Sequence, residues 1–186
     1  LGTATHSLTV DTTTPTIALA RSGSGTMSGA ETITFTFSEW VPTGEFTTSD
    51  IDVSGGTISN LQPVNGTGSA SAGYTQYTAT FTPTSASTGT ATIAVAAGKF
   101  ADVAGHPNLD TYSAATTHVS NEVAESNNII SASFDTTPPS IAVTASSYTI
   151  ATTTNNTITL TFTFNKAVND FAFADIDLIQ GGGTLR

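Results

Sequence analysis

The sequence predicts an all-β chain built of antiparallel sandwiches, one complete and a second only begun. Three observations carry this: apolar residues alternate with threonine at period two, turn-forming clusters interrupt the alternation at short intervals, and the whole pattern starts again downstream.

The elements follow in order. Residues 16–20 (Thr-Ile-Ala-Leu-Ala) form a first strand, ended by Ser22-Gly-Ser-Gly25. In 31–37, Ile33, Phe35 and Phe37 alternate with threonines, the mark of a half-buried antiparallel strand. Trp40, just beyond, is read as a plug of the core or its rim, with an exposed anchor as the alternative. Strands at 50–53 and 57–62 flank Gly55-Gly56, and Asn65-Gly66 marks the next turn. Tyr77, Ala79 and Phe81 alternate within 74–81, and Ile93 and Val95 within 90–96; a broken last strand lies within 112–134. No stretch carries helical three-four spacing. Seven short strands at this spacing argue for a two-sheet sandwich, with Phe35, Phe37, Phe81, Ile93 and Val95 inward.

The repeat sets the boundaries. Asp11-Thr-Thr-Thr-Pro-Thr-Ile-Ala-Leu matches Asp135-Thr-Thr-Pro-Pro-Ser-Ile-Ala-Val. Thr34-Phe-Thr-Phe37 then answers to Thr161-Phe-Thr-Phe164, and Asp50-Ile-Asp52 to Asp175-Ile-Asp177. Ser7-Leu-Thr-Val10 parallels Ser131-Ala-Ser-Phe134. The expected layout is therefore the end of a preceding repeat at 1–10, a complete repeat at 11–134, and the first half of another at 135–186. Half a sandwich leaves edges and an apolar face open, so a neighbouring chain or a longer polypeptide is expected to cover it.

Composition narrows the function. Asp and Glu outnumber Lys and Arg 14 to 4, for a net charge of −10, which disfavours nucleic acid and anionic membranes as partners. No apolar run is long enough to span a bilayer. There are no cysteines, which removes disulfides, thiolate catalysis and cysteine zinc sites. His6, His106 and His118 are scattered and lack metal-ligand spacing, so they read as ordinary loop residues. No nucleophile motif and no phosphate loop is present, and the chain does not read as an enzyme. A Thr-rich, Lys-poor, acidic chain without cysteine fits a secreted bacterial protein.

Strand parity places the carboxylates. An up-and-down chain puts the loops 38–49, 63–73 and 97–111 at the pole where Asp11 arrives. Asp11, Asp50, Asp52 and Asp102 are expected there, with Glu39 and Asp110 as weaker members. Asp50 and Asp52, two apart, point to one side of a strand and are placed to share an ion. Such a crowd of carboxylates calls for a hard cation, and calcium is the natural one outside cells. The competing reading makes each Asp a turn former. Glu39 is the weaker candidate because Lys166 takes its place in the second repeat, and Asp110, Glu122 and Glu125 read as solvated loop charges.

Four motifs in this order resemble the bacterial Ig-like repeats that extend giant, type I-secreted, RTX-type adhesins. They are Asp-Thr-Thr-x-Pro, Thr-Phe-Thr-Phe-Ser-Glu39, Asp50-Ile-Asp52-Val-x-Gly-Gly-Thr and Gly98-Lys-Phe-Ala-Asp102-Val-Ala-Gly105. The resemblance implies a string of Ig-like sandwiches on the bacterial surface, stiffened by calcium at the junctions and contacting adjacent repeats. It implies Asp11, Asp50, Asp52 and Asp102 as ligands, with Asp135, Asp175 and Asp177 in the second repeat. His106 departs from the pattern, which has Asn there, and residues 120–128 add a polar stretch. Two other functions compete: a filament subunit whose half-domain is completed in trans, and a glycan-binding module using Trp40, Tyr74, Tyr77 and the threonine faces.

Overall fold

The computed structural model describes residues 10–110, 127–146 and 158–177. The chain divides into two compact units, one up to Thr137 and one from Pro138.

The first unit is a two-sheet antiparallel sandwich. Its strands are β1 (Ile17–Arg21), β2 (Glu31–Val41), β3 (Asp52–Ser54), β4 (Gly56–Pro63), β5 (Gly68–Ser69), β6 (Gly73–Pro83), β7 (Thr88–Ala94) and β8 (Ile129–Asp135). One sheet has the order β1-β2-β6-β4 with β5 beside β6, and the other runs β3-β7-β8. Two devices join the layers. Met27 leaves the first sheet and pairs in parallel with Phe134 on β8. Gly55 carries the chain from β3 to β4 in a single bend at φ +73°, where a Cβ would stand 2.8 Å from the Thr90 carbonyl oxygen.

The alternation buries the expected face. Phe35, Phe81, Ile93 and Val95 are fully buried and Phe37 nearly so, because threonine occupies the opposite, wet face of each strand. Phe46 completes this core from the loop after β2, meeting the rings of Phe35, Phe37, Tyr77 and Phe100 at centroid distances of 5.1–5.9 Å. Trp40 is 46% exposed and is not a plug. It shares the parity of Thr34 and Thr36, so the pleat sends its ring to solvent.

The strand directions fix two poles. β1 runs down from the pole where Asp11 arrives, and β2 returns to it. The β2–β3 loop, the β4–β6 loop and the β7–β8 connection as far as Asp110 gather at this upper pole. β8 delivers Asp135 to the lower one, beside Thr88 of β7.

The second unit contains β9 (Ile141–Ala145) and β10 (Leu160–Phe164). Their register repeats that of the first hairpin: Ile141 faces Phe164 and Val143 faces Phe162, as Ile17 faces Phe37 and Leu19 faces Phe35. Phe171 stacks on Phe162 and Phe164 at 5.3 and 4.9 Å, as Phe46 does on Phe35 and Phe37 at 5.3 and 5.1 Å. Here, however, Ile141, Val143, Leu160, Phe171 and Phe173 are all exposed. No helix among the described residues is long and apolar enough to cross a membrane.

Candidate metal centre

Three elements bring carboxylates together at the upper pole. On β2 the inward face reads Phe35, Phe37, Glu39, Val41, so the pleat turns Glu39 inward just where the sandwich opens. Asp102 sits in a small hairpin within the β7–β8 connection, closed by the Ala101–Pro107 bridge and by the Gly105 N–H donating to the Asp102 carbonyl at 3.1 Å. Asp11 precedes β1 and forms an Asx turn, its Oδ1 accepting from the Thr13 N–H at 3.0 Å and from the Thr13 hydroxyl at 2.6 Å.

Buried polar groups hold these elements in place. Asp110, against the reading of it as a solvated charge, is 1% exposed. Its Oδ1 accepts from the Ile17 N–H at 2.9 Å, tying the 97–110 loop to the start of β1, and its Oδ2 accepts from Asn108 Nδ2 at 2.7 Å. Asn108 in turn receives the Lys99 and Phe100 N–H groups on its Oδ1 and donates to the Ala96 carbonyl at 2.9 Å. A buried, fully bonded carboxylate of this kind positions its surroundings. His106, read as an ordinary loop residue, instead clamps Asp102. Its N–H donates to Asp102 Oδ1 at 2.9 Å and its ring Nδ1 lies 3.1 Å from Oδ2.

The result is a cluster of Asp11, Glu39 and Asp102 in which one carboxylate oxygen of each lies within 4.8 Å of the others. Their burial is graded: Asp11 is exposed, Glu39 half-buried and Asp102 buried. Burial works against the charge of Asp102, but the His106 amide and ring and the Gly105 N–H outweigh it and lower its pKa. The Thr13 hydroxyl and N–H likewise lower Asp11. The donor set is all oxygen and formally trianionic. Oxygens on opposite sides of a calcium ion stand about 4.6–5.2 Å apart, so the spacing suits such an ion. Asp11 and Glu39 also line an open groove of about 590 Å³ with Trp40, Ala72 and Val103.

The other expected ligands are placed differently. Asp50 is not brought into the cluster: its Oδ2 accepts from the Thr47 N–H and hydroxyl, both at 2.8 Å, closing the short 3₁₀ turn Thr48–Asp50. Asp52, on β3, pairs with Ala94 of β7, with its Oδ2 buried and without a hydrogen-bond partner. Asp50 and Asp52 therefore form no shared site among the described residues. Asp135 repeats the Asx turn of Asp11, with Thr137 donating at 3.0 and 2.6 Å, and Asp175 repeats the turn of Asp50 through the Ala172 N–H at 2.8 Å. Asp177 is exposed. His6, His118, Glu122 and Glu125 lie outside the described residues. Glu39 is the member that comparison with Lys166 makes the weaker candidate. Its inward parity with Phe35 and Phe37 is the signal that finds it.

No curated protein and no solved structure matches the chain. The bacterial Ig-like domain family matches residues 11–123, more than half of it. With the antiparallel two-sheet sandwich, seven of whose strands fall within those residues, the match identifies the chain as a member of the bacterial Ig-like domain family.

Proposed function

We propose that the chain is a structural spacer: Ig-like modules in series that extend a secreted bacterial adhesin from the cell surface, with calcium stiffening the junctions. Membership of a family of structural modules supports the spacer role. The observation that carries the calcium reading is the convergence of Asp11, Glu39 and Asp102 at the pole where the chain arrives. A calcium ion would supply positive charge there, and these three residues would hold it. Because Asp11 belongs to the linker, an ion bound to all three fixes the linker against β2 and the 97–110 loop. Binding and junction rigidity are then coupled.

The test is thermal melting of the full chain, and small-angle scattering of a polypeptide with two complete units, each with calcium and then with chelator. At about 10⁻⁴–10⁻³ M affinity, millimolar calcium stabilises the fold by about 0.4–1.4 kcal/mol. Identical melting points and maximum dimensions in both conditions would remove calcium from the proposal and leave three carboxylates as linker-positioning groups.

The exposed apolar face of the second unit favours a second reading, in which strands from another chain complete that unit and build a filament. Electron microscopy of the purified chain separates the two: filaments support completion in trans, and dispersed single particles at high concentration oppose it.

A further inference from the structure

The exposed large apolar side chains of the first unit are not scattered. Among the described residues they are Val10, Trp40, Val103 and Leu109, and all four stand at the upper pole. Trp40 and Val103 line the groove beside Asp11 and Glu39 and are 46% and 65% exposed. Aromatic and aliphatic groups collected at one end, rimmed by carboxylates, mark a contact surface.

The lower pole has the opposite character. Its loops, 22–30 and 84–87, contain only Ser, Thr, Gly, Ala and the buried Met27. The nearby charges are engaged: Arg21 pairs with Glu31 at 3.0 Å, and Asp135 accepts from Thr137. Two upper poles would repel each other through their carboxylates. An upper pole and a lower pole would not.

We propose that the upper pole of the first unit docks the lower pole of the Ig-like module preceding it in the chain, with Trp40 and Val103 as the apolar contact. The proposal rests on the reading of the protein as modules in series. Chain continuity supports it. Whatever precedes Val10 arrives at this pole, and the segment 11–16 reaches at most about 20 Å before β1 begins. Ser7-Leu-Thr-Val10 also parallels Ser131-Ala-Ser-Phe134, the part of β8 that runs to a lower pole. The second repeat has Lys166 and Ala167 where the first has Glu39 and Trp40, so this mode of docking belongs to modules with the Glu-Trp pair. Rigidity is then set module by module.

Trp40 is the one tryptophan of the chain and reports on its own burial. The experiment places a second copy of residues 11–134 in frame before Asp11 of the full chain, with Trp40→Phe in the upstream copy. Docking shifts the emission of the remaining Trp40 to the blue. Its acrylamide quenching falls about twofold relative to the full chain alone, as covering a half-exposed ring requires. Ser85→Glu in the upstream copy sets a carboxylate against the acidic pole and restores quenching, whereas Ser85→Lys leaves the ring covered. Upstream melting points confirm that both variants fold. Unchanged emission and quenching, or protection that survives Ser85→Glu, overturns the proposal. Small-angle scattering of the same pair keeps the two readings apart. An elongated pair with an exposed Trp40 defeats docking alone, while a pair no longer than one module defeats the serial spacer itself.

Discussion

His106 holds both oxygens of Asp102, one through its backbone N–H at 2.9 Å and the other through its ring nitrogen at 3.1 Å. This clamp closes a turn of only five residues, Asp102 to His106, and aims a buried carboxylate at Asp11 and Glu39.

The clamp has a pH signature. The pKa of Asp102 is lowered in the fold, so its stabilising contribution is complete above the ordinary carboxylate value and is lost as pH falls through the lowered one. Asp102→Ala, in chelator, should cost about 1–3 kcal/mol at pH 6 by stranding the His106 donors. The difference should shrink below about pH 4. Thermal melts across that range check it; an equal cost at pH 3 and pH 6 would show that the ionised carboxylate is not what stabilises the turn.

Calcium dependence should follow Glu39 rather than Asp50. Glu39→Gln should abolish most of the calcium-induced rise in melting point. Asp50→Ala should cost about 0.5–2 kcal/mol through its lost turn bonds, equally with and without calcium. Calorimetric titration of the two variants decides between them, and normal calcium binding by Glu39→Gln would refute the cluster.

The two aromatic clusters should differ in consequence although their geometry agrees. Phe46→Ala should destabilise the first unit by about 3–5 kcal/mol. Phe171→Ala should leave the main melting transition where it is, because its ring is already exposed. Hydrogen exchange should be fastest in β9 and β10, since a two-stranded hairpin is marginal by itself. Protection of those amides equal to that of β2 and β6 would show the second unit to be covered.

Trp40→Ala should change the stability of the single chain by no more than about 0.5 kcal/mol, whereas Phe35→Ala should cost about 3–5 kcal/mol. Denaturant titration of both tests the assignment of faces on β2.

Much of the fold could be read from the alternation of apolar residues with threonine, which located the strands and their inward face. The poles followed from strand parity. The site is less legible, because parity along β2, and not residue type, decides which side chains enter it. Trp40 shares the face of Thr34 and Thr36, and Glu39, the weaker candidate by residue type, shares that of Phe35 and Phe37. Asp110 and His106 were beyond such reasoning. A loop has no period, and whether its carboxylate is solvated or bonded to Ile17 depends on contacts made far along the chain. Asp50 and Asp175 each accept a hydrogen bond from an N–H three residues earlier, a local turn that residue type alone does not distinguish from a ligand position.

The chain arrives at one pole on β1 and leaves from the other on β8, with consequences under tension. A pull on the two ends of the first unit runs nearly along both strands. The five residue pairs of β1 with β2 and the seven of β7 with β8 are then loaded in shear, because antiparallel hydrogen bonds lie across the strands. Bonds in shear must break together, whereas bonds at the end of a zipper break one at a time. A module threaded in this way resists extension by a drag force until a whole ladder fails at once.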